Sequence, residues 1–117
     1  MTRRGDVVPV RFPFTDVGKA KVRPAIVVQN DRDNQKIHNT VVAMVTGNLR
    51  RLGDPSHFLI DPAHPEGAGS GLSGPSMASC NNLQTVAQSA ILRSLARLSD
   101  VLMRQLDACL KAALELP

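Results

Sequence analysis

Aromatic residues are scarce: of 117 residues none is Trp or Tyr, and the three Phe stand at 12, 14 and 58. Binding that depends on rows of stacked rings is therefore restricted to very few positions, of which Phe14, in the first loop, is the best placed. It serves equally well as a core or loop anchor. Cysteine is also sparse. Cys80 and Cys109 are the two present, too few for a secreted disulfide framework and not a C-x-x-C pair, so they are expected as small apolar core residues. No apolar run is long enough to span a bilayer. The opening Thr2-Arg3-Arg4-Gly5-Asp6 leads directly to Val7 and Val8 without an apolar leader segment, and the expectation is a reduced, cytoplasmic protein with no membrane contact.

The usual ingredients of metal and cofactor sites are thin as well. The three histidines, His38, His57 and His64, have no zinc-site spacing and nothing that forces two together for acid–base work. Asp31, Asp33, Asp54 and Asp61 all fall at turns, where Asp bonds its own backbone, and no strand carries two of them. Gly67, Gly69, Gly71 and Gly74 lack the following Gly-Lys-Ser/Thr of a phosphate-cradling loop. No metal and no cofactor are expected.

What remains is a chain of ordinary globular composition, 43% hydrophobic and 21% charged, with a formal charge of +4 and a pI near 9.7. Its length fits one domain, residues 1–117. The basic balance suits a polyanion, whose counterions Lys and Arg release, or a strongly acidic protein partner.

The pattern along the chain is short strands and then one helix. Residues 7–12 form an apolar segment interrupted by Pro9, which places it at a sheet edge or a bulge. Residues 13–22 read as a loop carrying Lys19 and Lys21. Ala25-Ile26-Val27-Val28 is a β-branched run of strand length ending in turn-forming Gln29-Asn30-Asp31. Residues 30–39 read as a second loop. Residues 40–46 are apolar almost throughout, as in a strand buried on both faces. Residues 57–60 form a fourth short strand, 65–75 a mobile Gly/Ser/Pro loop, and 76–86 a further strand. Ser99 is a plausible N-cap, and Leu102, Leu106, Cys109, Leu110 and Ala113 recur at helical spacing. Short strands with one terminal helix make a mainly β protein, a small barrel with a helix packed on it.

Two positions stand out. Arg23 precedes Pro24 and opens the run 25–28, where a guanidinium is able to grip a phosphate bidentately. An ordinary surface arginine fits the position as well. Thr46 closes the third strand, and its hydroxyl either reaches a phosphate oxygen or is simply a good β former. Arg50 and Arg51 follow as a basic rim or as solvated charge. His57 is retained as a candidate substrate contact.

In order and spacing these pieces resemble the MazF/PemK toxin family. The likeness is carried by Arg4-Gly5-Asp6-Val7-Val8 and by Arg23-Pro24-Ala25-Ile26-Val27-Val28-Gln29-Asn30-Asp31. It continues through Val42-Ala43-Met44-Val45-Thr46, Ser56-His57-Phe58-Leu59-Ile60-Asp61, Ser76, and Leu83-Gln84-Thr85-Val86, so it covers nearly the whole chain. The resemblance implies an SH3-like barrel of the MazF/PemK/CcdB kind, a homodimer, and a metal-independent endoribonuclease acting on single-stranded RNA. It also implies a MazE-like antitoxin partner whose acidic, disordered tail fills the RNA groove. It places the catalytic arginine on Arg23 and the catalytic threonine on Thr46. Substrate contacts are then expected from Phe14, Lys19, Lys21, His57, Asn82 and Gln84. Many relatives have Gln where Asn82 stands and a basic residue where Gln84 stands, changes that bear on base recognition. The alternatives on the same fold are a non-catalytic SH3-like binding module and a barrel toxin directed at DNA gyrase.

Overall fold

The computed structural model describes residues 2–13 and 20–117. The chain folds in the order β1 (Asp6–Pro13), β2 (Ala20–Val27), α1 (Asp31–Lys36), β3 (Asn39–Thr46), β4 (His57–Ile60), β5 (Ser76–Ala87), a 3₁₀ turn (Gln88–Ala90), β6 (Ala96–Arg97) and α2 (Asp100–Leu114). The strands form one antiparallel sheet in the order β4-β5-β3-β2-β1-β6. The sheet curls into a half-barrel: Val10 of β1 bridges Ile91, and the Leu92 N–H donates to the Pro9 carbonyl, so the chain after β5 returns to β1.

The two sheet faces have different partners. Val7, Ile26, Val45, Phe58, Ile60, Ala78 and Cys80 point to one side and are buried there with Leu98, Leu102, Leu106 and Cys109. The helix stripe read from the sequence is thus the stripe that covers the sheet. Ser99 caps α2 as expected, its hydroxyl accepting from the Leu102 N–H at 3.2 Å. Fully burying a side chain such as Leu106 or Ile26 contributes about 1.5–3 kcal/mol. The opposite face closes on itself over Val8, Val10, Ala25, Val27 and Val42, with Phe12, Met44 and Val86 packed at its margin.

Arg4 holds three elements together. Its backbone N–H donates to Asp31 Oδ1 at 2.7 Å, its Nε to the Val28 carbonyl at 2.9 Å, and its Nη2 to Asp107 Oδ1 at 2.6 Å. The next residue, Gly5, has φ +93°, and a Cβ there would sit 2.8 Å from Met103 Sδ, so only glycine fits the turn that starts β1.

Several expectations change. The loop expected over 13–22 is shorter, because β1 runs to Pro13 and β2 begins at Ala20. The loop expected over 30–39 contains α1, which forms because Asn30 caps it, Oδ1 accepting from the Asp33 N–H at 2.8 Å. The Gly-rich stretch expected to be mobile is wound into successive turns, with His64, Gly67 and Ser70 N–H groups each bonded to the carbonyl three residues back. A Cβ on Gly67 would overlap the Asp61 carbonyl, which explains a glycine at that turn. Pro9 is expected at an edge or bulge, but β1 lies inside the sheet between β2 and β6; β6 pairs only with Asp6 and Val7, and beside Pro9 the chain at 91–92 takes over, with the Leu92 N–H bonded to the Pro9 carbonyl.

Candidate functional site

Pro9 and Pro24 face each other across β1 and β2. Neither has an N–H, so the two form a non-hydrogen-bonded pair, and the backbone of Pro24 is turned toward β3. The β2–β3 ladder stops one residue short of it, at Ala25↔Met44. Beyond that point the strands are unpaired. By strand alternation Arg23 lies on the face of β2 that carries Ala25, and Thr46 on the face of β3 that carries Met44, each two residues past the last paired rung. The ladder thus ends just before the two residues singled out in the sequence, which both lie past its last paired rung.

Across β3 the same face runs on into β5 and β4, through the rows Met44–Ser79–His57 and Thr46–Met77–Leu59. Here β5 departs from regular pairing. Ala43 faces Leu83, but the next residue, Met44, faces Ser79, so residues 80–82 are looped out of the ladder. A bulge of this kind re-aims side chains, and the consecutive residues Asn81 and Asn82 both line one cleft. That cleft, of about 360 Å³, is bounded by Thr46, Arg50, Arg51, Ser79 and the two asparagines, with Asn48, His57 and Met77 completing it. Among the described residues its wall holds no carboxylate.

The loop after β3 is built by side chains bonding their own backbone. Thr46 Oγ1 accepts from the Asn48 N–H at 3.1 Å, and Asn48 Oδ1 accepts from the Arg50 N–H at 3.0 Å. Thr46 therefore keeps its own proton to donate, and the turn carries Arg50 and Arg51 to the rim. Arg23, Arg50 and Arg51 are exposed, and among the described residues no carboxylate pairs with any of them. Arg50 and Arg51 line the cleft beside hydroxyls and amides, a lining chemically suited to an anion, whereas Arg23 is not among its lining residues.

The other candidates fall as follows. Asn82 lines the cleft, and Gln84, which does not, donates from Nε2 to Asn82 Oδ1 at 3.0 Å. His57 lies in the wall, but its side chain is only 2% exposed, and its buried Nδ1 lacks a hydrogen-bond partner, with Asp54 Oδ2 at 3.8 Å. Lys21 is exposed on β2 opposite Phe12, on the face that carries Arg23. Phe14 and Lys19 lie outside the described residues. Sequence reasoning missed Asn48, Ser79 and Asn81; their recruitment depends on the β5 bulge and on sheet register, neither of which has a local signature. Among the described residues no group of three or more His, Cys, Asp or Glu side chains gathers as a metal site.

Residues 3–114 match the family described as PemK-like, MazF-like toxin of type II toxin–antitoxin systems. The chain belongs to that family. A relative named Endoribonuclease MazF, from Staphylococcus saprophyticus, is 26% identical over 117 residues, spanning 99% of this chain and 93% of the relative. Among solved structures, an endoribonuclease in complex with its cognate antitoxin from a mycobacterial species superposes with a TM-score of 0.76 at 22% identity, covering 100% of this chain and 98% of that one. The MazE–MazF structure from Deinococcus radiodurans gives a TM-score of 0.75 at 19% identity, covering 99% and 98%. The half-barrel with its C-terminal helix is thus the MazF fold.

Proposed function

We propose that this toxin is a MazF-type endoribonuclease that cuts single-stranded RNA without a metal, works as a homodimer in the cytoplasm, and is neutralised by a cognate antitoxin with an acidic tail. The observation that carries the reading is that Arg23 and Thr46 lie just past the point where Pro24 ends the β2–β3 ladder, with Thr46 in a cleft lined by Arg50 and Arg51.

RNA brings its own nucleophile. The 2′-OH attacks the adjacent phosphorus, the bond to the 5′-oxygen breaks, the 2′-OH proton is lost and the leaving oxygen gains one. The protein has to hold the strand in line and stabilise the charge that grows on the phosphate oxygens. Arg23 is suited to that charge; it stays protonated at any working pH and so acts as cation and donor rather than as base. Thr46, whose oxygen is already engaged by Asn48, donates its proton to a non-bridging oxygen. The products are a 2′,3′-cyclic phosphate, or the 3′-phosphate it opens to, and a 5′-OH. Asn82, steadied by Gln84, is placed to read a base edge.

The test is a substrate carrying a single 2′-deoxy substitution at the scissile nucleotide. It should bind and remain uncut, while a deoxy substitution one position away leaves cutting intact. Cutting of the first substrate would refute attack by the 2′-OH. Absence of cutting on any RNA would favour a binding or gyrase-directed role on the same fold.

A further inference from the structure

The mechanism above leaves one proton without a protein partner. Arg23 stays charged and Thr46 donates, so neither takes the proton that the 2′-OH loses. His57, the first residue of β4, is in the cleft wall, where the other ionisable side chains are Arg50 and Arg51. Imidazole is the side chain best suited to passing a proton near neutral pH.

The ring has the cleft on one side and a carboxylate on another. It contributes to the cleft wall, yet its side chain is only 2% exposed, and its Nδ1 is buried without a hydrogen-bond partner. A ring nitrogen buried unpaired is costly. Asp54, which is not part of the cleft wall, brings its Oδ2 to 3.8 Å from that nitrogen. The backbone holds the pair in one turn: the His57 N–H donates to the Asp54 carbonyl at 3.1 Å, and the Asp54 N–H to the Arg51 carbonyl at 3.0 Å. The Asp54 side chain is half-exposed, so a small rotation brings it within hydrogen-bond reach of Nδ1. A carboxylate that accepts from Nδ1–H fixes the tautomer in which Nε2 carries the lone pair. From β3 and β5 the cleft wall receives Thr46, Met77 and Ser79, which do not titrate. Among the described residues the charged groups around the ring are therefore Asp54, Arg50 and Arg51.

We propose that His57 is a further catalytic residue of the cleavage, with Nε2 taking the proton of the 2′-OH, and that Asp54 is a positioning residue that holds Nδ1–H and the ring. As O2′ bonds to phosphorus its proton passes to Nε2. The bond from phosphorus to O5′ breaks, O5′ takes a proton from water, and the imidazolium returns its own to solvent. The inference rests on the ribonuclease reading above.

The experiment is single-turnover cleavage of a mapped oligonucleotide at saturating protein, followed from about pH 5 to 8, the range in which histidine changes charge. The wild-type rate should rise with pH along a limb of unit slope and then level off. His57→Gln should cut about 10²–10⁴-fold more slowly, the contribution of one positioned base, and should lack that limb. Its affinity for the uncleavable 2′-deoxy oligonucleotide should match wild type. Asp54→Asn should slow cleavage in the wild-type background and cost nothing further in His57→Gln, because it acts through the ring. Thermal melts establish that the variants are folded; if His57→Gln does not fold, the wild-type limb and Asp54→Asn decide. A wild-type rate that is flat across this range overturns the inference. So does a folded His57→Gln protein that keeps the limb or cuts at the wild-type rate, or one that loses RNA affinity in step with rate. An Asp54→Asn protein with the wild-type rate, or with the same loss in both backgrounds, overturns the role of Asp54. All of these leave the ribonuclease reading in place, whereas a wild type that cuts no RNA overturns both.

Discussion

Thr46→Val separates chemistry from folding more cleanly than any other single change. Valine keeps the β-branched shape at the end of β3 and removes only the hydroxyl. That hydroxyl has two tasks. It accepts the Asn48 N–H at 3.1 Å, and, in the mechanism above, it donates to the phosphate as charge develops. The first task is a small one for stability: Asn48 is exposed and water replaces the lost acceptor, so the cost is about 0.5 kcal/mol, or about 2 °C in Tm for a domain of this size. The second task concerns the transition state, where loss of one such donor lowers kcat by about 10²–10³. The assay pairs single-turnover cleavage of a mapped oligonucleotide with a thermal melt. Thr46→Val should melt within a few degrees of wild type and cut at least about 100-fold more slowly, and Thr46→Ser should recover most of the rate. A folded Thr46→Val protein with wild-type kcat would refute the role given to the hydroxyl.

Three further outcomes follow from the packing and the titrating groups. Leu106 is fully buried between α2 and the sheet, so Leu106→Ala should lower the free energy of unfolding by about 2–5 kcal/mol in a denaturant titration; a loss under 1 kcal/mol would mean that the helix is not seated as described. The Arg4 backbone N–H holds the Asp31 carboxyl below its ordinary value of 3.8. A depressed carboxyl stabilises the fold above its unfolded pKa and loses that contribution as pH falls through the folded value. Asp31→Asn should therefore narrow the stability difference between neutral pH and pH below 3.8, and an unchanged acid limb would contradict this. Burial, reinforced by Cys109, pushes the Cys80 thiol up to about 12, so both buried thiols should resist alkylation at pH 8 in the folded protein and react on unfolding; fast labelling of the native state would show an open core.

The parts of the molecule that were legible in the sequence are those with a local cause. Ser99 and the stripe Leu102–Leu106–Cys109 identify α2, because capping and helical period are written in neighbouring residues. Residues 40–46 identify β3, whose Val42 packs on one face of the sheet and Val45 on the other. Arg23-Pro24 marks the place where a ladder stops, and strand alternation alone assigns Arg23 to the face of Ala25 and Thr46 to the face of Met44 beyond it. The rest depends on distant pairing. The three-residue slip that turns both Asn81 and Asn82 into the cleft exists only because β5 pairs with β3 on both sides of it. The burial of His57 is equally invisible, since a histidine opening a four-residue strand gives no sign that the neighbouring row will cover it. The helix α1 was hidden for a different reason. Its polar residues lack an apolar period, and it is held by the Asn30 cap and by Asn34, which accepts from Thr40 Oγ1 at 2.7 Å.

The most direct test of the account is to incubate the purified protein, with Arg23→Ala prepared identically beside it, with a long single-stranded RNA in excess EDTA. The account predicts discrete fragments bearing 5′-OH ends from wild type and cleavage reduced by about 10²–10³ in the folded variant, the cost of losing one charged transition-state contact. Equal cutting by both proteins, or cutting by wild type only after a divalent metal is restored, would contradict it.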